Sequence, residues 1–172
     1  NTSTWNGSVS TDWFTAANWT PNLVPDATRR AIISSTAARN CDISSASATC
    51  LSLNINAGRI LTINNGYDLT IKGNIDINGT LTVSSWTPGS TIYVEGNWSN
   101  PGVFNSANST VVFNLAAGTQ SIASGGIGNS KRFRTLQIGS GSTTNIVTFS
   151  QAIEVVTKLE IKNGATLNNN SG

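Results

Sequence analysis

The side chains that carry acid–base chemistry in this chain are eight carboxylates: Asp12, Asp26, Asp42, Asp68, Asp76, Glu95, Glu154 and Glu160. Glycoside hydrolysis needs two carboxyl groups held at a set separation across the scissile bond. Asp68 and Asp76, eight residues apart on a regular part of the chain, are the pair that comes nearest to this, and no further acid clusters with them. Histidine is absent, which removes the usual general base, metal ligand and pH switch. There is no Gly-x-Ser-x-Gly, no phosphate-binding loop and no EF-hand spacing. The expectation is a chain without catalytic residues, without a metal and without a cofactor.

The only cysteines, Cys41 and Cys50, flank the Ser- and Ala-rich run from Asp42 to Thr49. The chain is poor in charge and rich in Thr, Ser, Asn and Gly, a composition usual in secreted β proteins, and in that setting two cysteines suggest a disulfide. A loop that short would restrain the unfolded chain by about 2–3 kcal/mol in the entropy model. The alternative is two free, buried thiols. Zinc is not expected, since two cysteines without histidine leave the usual four positions unfilled.

Aromatic rings offer a second chemistry, stacking on the apolar face of a sugar. Trp86, Tyr93 and Trp98 lie in the stretch from Ser84 to Ala107, where the repeat described below is interrupted. They form the candidate carbohydrate-stacking patch, and the competing reading packs them on their own loop. Trp5, Trp13 and Trp19 fall within the first 25 residues, together with Phe14, Pro21 and Pro25. Large rings on a compact loop suit a lid over an exposed core, and these three are the candidate cap or assembly residues.

What must position these groups is a repeat. Leu51-Ser-Leu53-Asn-Ile55 is followed by Leu61-Thr-Ile63, Leu69-Thr-Ile71, Ile75-Asp-Ile77 and Leu81-Thr-Val83, with Gly58, Gly66, Gly73 and Gly79 between the blocks. Each block is apolar-polar-apolar, so two side chains point one way and the middle one the other. Blocks about six to eight residues apart leave room for a corner but not for a helix. This is the pattern of an all-β parallel β-helix, or β-solenoid, with coils of about 20–24 residues. Right-handed coils are the commoner form. Residues 1–25 read as an aromatic-rich N-terminal cap and residues 26–172 as coils. Asn56, Asn64, Asn65 and Asn78 are expected at or near corners, where asparagine tolerates the left-handed conformation and its amide can ladder from coil to coil. Thr62, Thr70 and Thr82 are expected to face outward as a hydroxyl row. An ice-binding face is disfavoured, because the neighbours of these threonines alternate inward. No aromatic lid is evident at the C-terminal end, where a final coil would expose a strand edge; the expectation is that either the protein continues past Gly172 or another copy docks there.

Charged residues make up 10% of the chain and the net charge is +2, against roughly 25% charged in an average soluble domain. The one basic cluster, Lys131-Arg132-Phe133-Arg134, is too short to argue for nucleic acid and reads as a solvated loop. No apolar run reaches the roughly 18 residues a membrane helix requires, so no membrane insertion is expected. The first residue is Asn1, which fits removal of a leader or excision from a longer chain.

Trp5-Asn6-Gly7, Asp12-Trp13, Asn18-Trp19, Val24-Pro25 and Ile32-Ile33 resemble the opening of many secreted bacterial β-solenoids, among them autotransporter-type passenger domains and large surface adhesins of the Bacteroidetes. Thr110-Val-Val-Phe-Asn114 with Gly118-Thr-Gln-Ser-Ile122 is similar to a block of the same proteins, as are Phe133–Ile138 and Leu159–Leu167. The resemblance implies a repeat fold and a cell-surface address, and it carries no catalytic residues.

The function expected from these readings is a non-catalytic extracellular structural or adhesive module. It would be a segment of a cell-surface adhesin or a subunit of a filament that stacks head to tail with itself. The alternative is a carbohydrate-binding module, or a β-helix protein acting on polysaccharide.

Overall fold

Alternation along each short strand decides which side chains enter the core, and parallel stacking of the strands then repeats the choice coil after coil. The computed structural model describes residues 1–84, 87 and 89–170. It opens with β1 (Thr2–Trp5), a 3-10 turn at Ala16–Asn18, and β2 (Trp19–Thr20). Four three-strand coils follow: β3 (Arg30–Ile33), β4 (Cys41–Ile43) and β5 (Ala48–Cys50); β6 (Leu53–Ile55), β7 (Ile60–Ile63) and β8 (Leu69–Ile71); β9 (Ile75–Ile77), β10 (Thr80–Val83) and β11 (Thr91–Val94); β12 (Trp98–Ser99), β13 (Val103–Asn105) and β14 (Thr110–Phe113). From there only two strands are used per turn: β15 (Ala117–Ala123) and β16 (Phe133–Ile138), β17 (Thr144–Phe149) and β18 (Val155–Ile161), and finally β19 (Thr166–Asn169).

Three sheets result. Sheet A runs β19-β17-β15-β12-β9-β6-β3-β1-β2, sheet B runs β13-β10-β7-β4, and sheet C runs β18-β16-β14-β11-β8-β5. Every pairing between these strands is parallel except β1 with β2. The molecule is therefore a β-solenoid, three-sided at first and two-sided towards its C-terminal end.

The core consists of columns of equivalent inward residues. In sheet A, Ala31, Leu53, Ile75, Trp98 and Ile122 succeed one another in register. In sheet C the column is Ala48, Leu69, Ile92, Val111 and Leu136, and all of these side chains are buried. The outward threonines do not form one row. Thr62 and Thr82 are neighbours in sheet B, whereas Thr70 lies in sheet C between Thr49 and Tyr93.

The corners depart from expectation in one respect. The asparagines do not take the left-handed conformation; Gly58 and Gly66 do, each at φ 77°, and Ala107 is the single non-glycine with positive φ among the described residues. Asparagine side chains do ladder between corners, at Asn74 and Asn97. Asn74 Oδ1 accepts the backbone N–H of Asn97, and Asn97 Oδ1 accepts that of Ser121, linking successive corners 23 and 24 residues apart. Other corners need glycine because coils touch there. A Cβ on Gly102 would lie 2.2 Å from the carbonyl oxygen of Gly79, closer than packed atoms approach.

The cysteines correct the disulfide expectation. Both thiols are free and fully buried. Cys41 lies in sheet B beneath Leu61 and Cys50 in sheet C beneath Ile71. Each fills a core column where later coils use larger aliphatic or aromatic residues, Leu61, Leu81 and Phe104 after Cys41 and Ile71, Val94 and Phe113 after Cys50, so each packs as a small hydrophobe.

Candidate functional site: a roofed start and an open last coil

The two ends of the solenoid are built differently. At the start, Trp5, Trp13 and Trp19 are all fully buried. Trp19 meets Trp5 at 5.0 Å and Trp13 at 4.8 Å between centroids, both edge to face. Their polar edges are largely satisfied: Trp19 Nε1 donates to the Trp13 carbonyl at 2.7 Å, and Trp5 Nε1 to the Arg39 carbonyl at 2.9 Å. The buried Asn18 ties down the loop between them. Its Oδ1 accepts the N–H groups of Val9 and Ser10, and its Nδ2 donates to Ser10 Oγ and the Asp12 carbonyl. The outer edge of β4 is covered by the same loop, through Asp42 N–H to the Thr11 carbonyl and Trp13 N–H to the Asp42 carbonyl. Residues 1–25 thus supply two strands of sheet A as well as a roof.

Sheet B is closed at its other end as well. The Phe104 N–H on β13 donates to the Ser130 carbonyl at 2.8 Å. Lys131 Nζ donates to three consecutive carbonyls, those of Asn100, Pro101 and Gly102, at 2.8, 2.9 and 2.6 Å. Partial burial pushes the Lys131 amine below its ordinary pKa. The basic cluster read as a solvated loop is therefore divided: Lys131 is tied to these carbonyls, Arg132 reaches Glu154 at 3.9 Å, Phe133 is fully buried and Arg134 is exposed.

Where the third wall ends, aromatic bulk replaces it. Trp98, Phe104 and Phe133 pack together, with centroids 4.9 to 6.0 Å apart. This corrects the carbohydrate patch. Trp98 is inside the core, stacked between Ile75 and Ile122, because its strand alternates it inward. Tyr93 is half-buried on the outer face of sheet C, between Thr70 and Val112. Trp86 lies outside the described residues. The carboxylate pair is also divided, with Asp68 at the corner before β8 and Asp76 on the outside of β9 in sheet A. Asp68 Oδ1 accepts the Thr91 N–H, so it links coils.

The last coil has no roof among the described residues. Leu159 and Ile161 on β18 sit in register above the buried Leu136 and Ile138. They occupy inward positions, yet each is 48% exposed. Leu167 on β19 continues the column of Val147 and is half-buried. β18 and β19 are the terminal strands of sheets C and A among the described residues. By alternation Lys158, Glu160 and Lys162 face outward. Glu160 accepts from Lys162 Nζ at 2.7 Å and lies 3.1 Å from Lys158 Nζ. These lysines hold its carboxyl below the usual range, Lys162 contributing most.

Residues 4–90 match the family described as Domain of unknown function (DUF8693). The chain belongs to this family. The DUF8693 match begins within β1 and ends just before β11, so it contains Trp5, Trp13, Trp19 and Asn18 and excludes the two-sided coils. No curated protein and no solved structure matches the chain.

One internal feature had no sequence signal beyond a polar residue at an inward position. Gln120 Nε2 donates to the carbonyls of Val94 and Gly96, and its Oε1 accepts from Asn145 Nδ2 at 2.9 Å. Both side chains are buried. They satisfy corner carbonyls where the chain turns from sheet C back to sheet A.

Proposed function

We propose that this DUF8693 chain is a non-catalytic structural or adhesive module of the extracellular cell surface. The observation that carries this reading is the stack of coils itself: parallel strands pair coil upon coil in three sheets around continuous columns of buried side chains, the build of a stiff rod. The low charge content agrees with a weakly charged rod. The surface address rests on the resemblance of the Trp5-Asn6-Gly7, Asn18-Trp19 and Val24-Pro25 stretch to secreted bacterial β-solenoids.

The test is electron microscopy of the purified chain together with immunogold labelling of the producing cell. Rods or rod assemblies, with label on the outer surface, are the expected result. Label confined to the cell interior would overturn the reading.

A further inference from the structure

We propose that the loop joining β15 to β16 is a processing site, cut between Gly126 and Ile127 by an endopeptidase with a pocket for an aliphatic side chain, and that the two pieces remain one rod. The inference is independent of the surface-module reading.

Sequence alone would put the cut elsewhere. Lys131-Arg132 is a dibasic pair at the end of a Gly-rich loop, a place that a trypsin-like enzyme would read. The fold withholds it. An endopeptidase draws several residues on either side of the scissile bond into an extended conformation, so it cuts where the backbone can leave the fold locally. Freeing Lys131 means withdrawing its Nζ from the carbonyls of Asn100, Pro101 and Gly102. Freeing the bond after Arg132 also means pulling the buried Phe133 away from Trp98 and Phe104.

A few residues earlier the opposite holds. Ile127 is 64% exposed, the most exposed large apolar side chain among the described residues. Its backbone makes no hydrogen bond among them. Gly126 and Gly128 on either side have positive φ, and a Cβ on either would meet nothing within 4 Å. The chain therefore stands clear of the rod here. Its local ties are few: the Ser124 hydroxyl bonds to Gly126, and Gly128 N–H donates to Glu154 Oε2 at 2.7 Å while its carbonyl accepts from the Lys131 and Arg132 N–H groups. Small residues at an exposed loop tip are favoured sites of nicking. Other exposed aliphatic residues outside strands lack this freedom. Buried Asn18 holds the Val9 N–H at 2.9 Å, Ser3 Oγ holds the Leu23 carbonyl at 2.6 Å, and the Arg29 carbonyl holds the Leu51 N–H at 2.9 Å.

Hydrolysis breaks the amide between the Gly126 carbonyl carbon and the Ile127 nitrogen. Water supplies a hydroxyl to the carbon and a proton to the nitrogen. The two pieces are interleaved. β14 of the first pairs with β16 of the second in sheet C, and β15 of the first pairs with β17 of the second in sheet A. Phe133, from the second piece, stays packed on Trp98 and Phe104 from the first. Covalent continuity is lost while both ladders and the aromatic cluster remain.

Brief digestion of the folded 172-residue chain with thermolysin, which cuts before aliphatic residues, tests this by mass spectrometry. Residues 1–126 and 127–172 should be the first products. They should co-elute on size exclusion with an unchanged β spectrum and separate in urea. Trypsin under the same conditions should leave the bonds after Lys131 and Arg132 intact. Ile127→Asp should slow the thermolysin cut about tenfold or more, since an apolar pocket discriminates to that extent over a single methylene, and should leave the melting temperature unchanged. A first thermolysin cut outside this loop, or Ile127→Asp cut at the wild-type rate, would overturn the site. Early trypsin cleavage after Lys131 or Arg132 would overturn it in favour of the dibasic pair. Pieces that part without denaturant would overturn the interleaved rod. None of these results bears on the surface-module reading, which fails only if the protein is found inside the cell.

Discussion

Trp19 holds Trp13 in two ways at once: its indole N–H donates to the Trp13 carbonyl at 2.7 Å, and its ring meets the Trp13 ring edge to face at 75°. Trp19 also packs against Trp5, so it stands at the centre of the roof. Trp19→Ala is expected to cost about 3–5 kcal/mol through the cavity it leaves. Trp19→Phe keeps most of the ring but deprives a buried carbonyl of its donor, and is expected to cost about 1–3 kcal/mol. Urea denaturation followed by far-ultraviolet circular dichroism measures both. Equal stability of wild type and Trp19→Ala would show that the roof contributes nothing to the fold.

The stacking of corners makes a second prediction. The Gly102 Cβ position faces backbone, the Gly79 carbonyl oxygen at 2.2 Å, which cannot swing aside as a side chain would. Gly58, by contrast, has open space around its Cβ position and only the strain of its positive φ to resist substitution. Gly58→Ala is therefore expected to cost about 1 kcal/mol, and Gly102→Ala clearly more, about 1–3 kcal/mol or above. Thermal melts of the two variants side by side decide the ranking.

The legible part of this chain is the part governed by alternation. Leu61-Thr-Ile63 and Leu81-Thr-Val83 read as inward-outward-inward from sequence, and they stack in register in sheet B. The same rule identifies Leu159 and Ile161 as inward residues, in register with Leu136 and Ile138. Alternation fails where a strand is two residues long. Trp98 follows Gly96 and Asn97 and reads as a loop aromatic, yet it belongs to β12 and fills the core left by the lost third wall. The end of sheet B was hidden for a related reason. It depends on Lys131 reaching carbonyls 29 to 31 residues back in the chain, a contact that no local pattern announces. The disulfide expectation came from composition and compartment, whereas the core columns assign each cysteine to a different wall.

Those cysteines make a third prediction. Burial pushes both thiols well above their ordinary pKa, Cys41 further raised by Asp42 and Asp12. A thiol that stays protonated and enclosed is a poor nucleophile. Native protein should show no reaction with a thiol reagent at neutral pH, and both thiols should react after unfolding in urea. Reductant should leave the melting temperature unchanged. A mass two protons below the reduced value would contradict this and reinstate the bridge.

Glu160 supplies the last prediction, about pH. Its carboxyl accepts from Lys162 and from Lys158, and both bonds favour the ionised form. The folded pKa is thus below the unfolded one. Such a group adds stability at pH values above the ordinary carboxylate range, and that contribution is lost as pH falls through the folded value. Because the site is open to solvent, the effect on stability is small and screened by salt. The titration itself is the better readout. Carbon-detected NMR of the Glu160 carboxyl should show a midpoint below the usual value of about 4.3. Lys162→Ala should move the midpoint up more than Lys158→Ala does, since Lys162 is the stronger partner. If both variants leave the midpoint where it was, the charge pattern along β18 is not the one described.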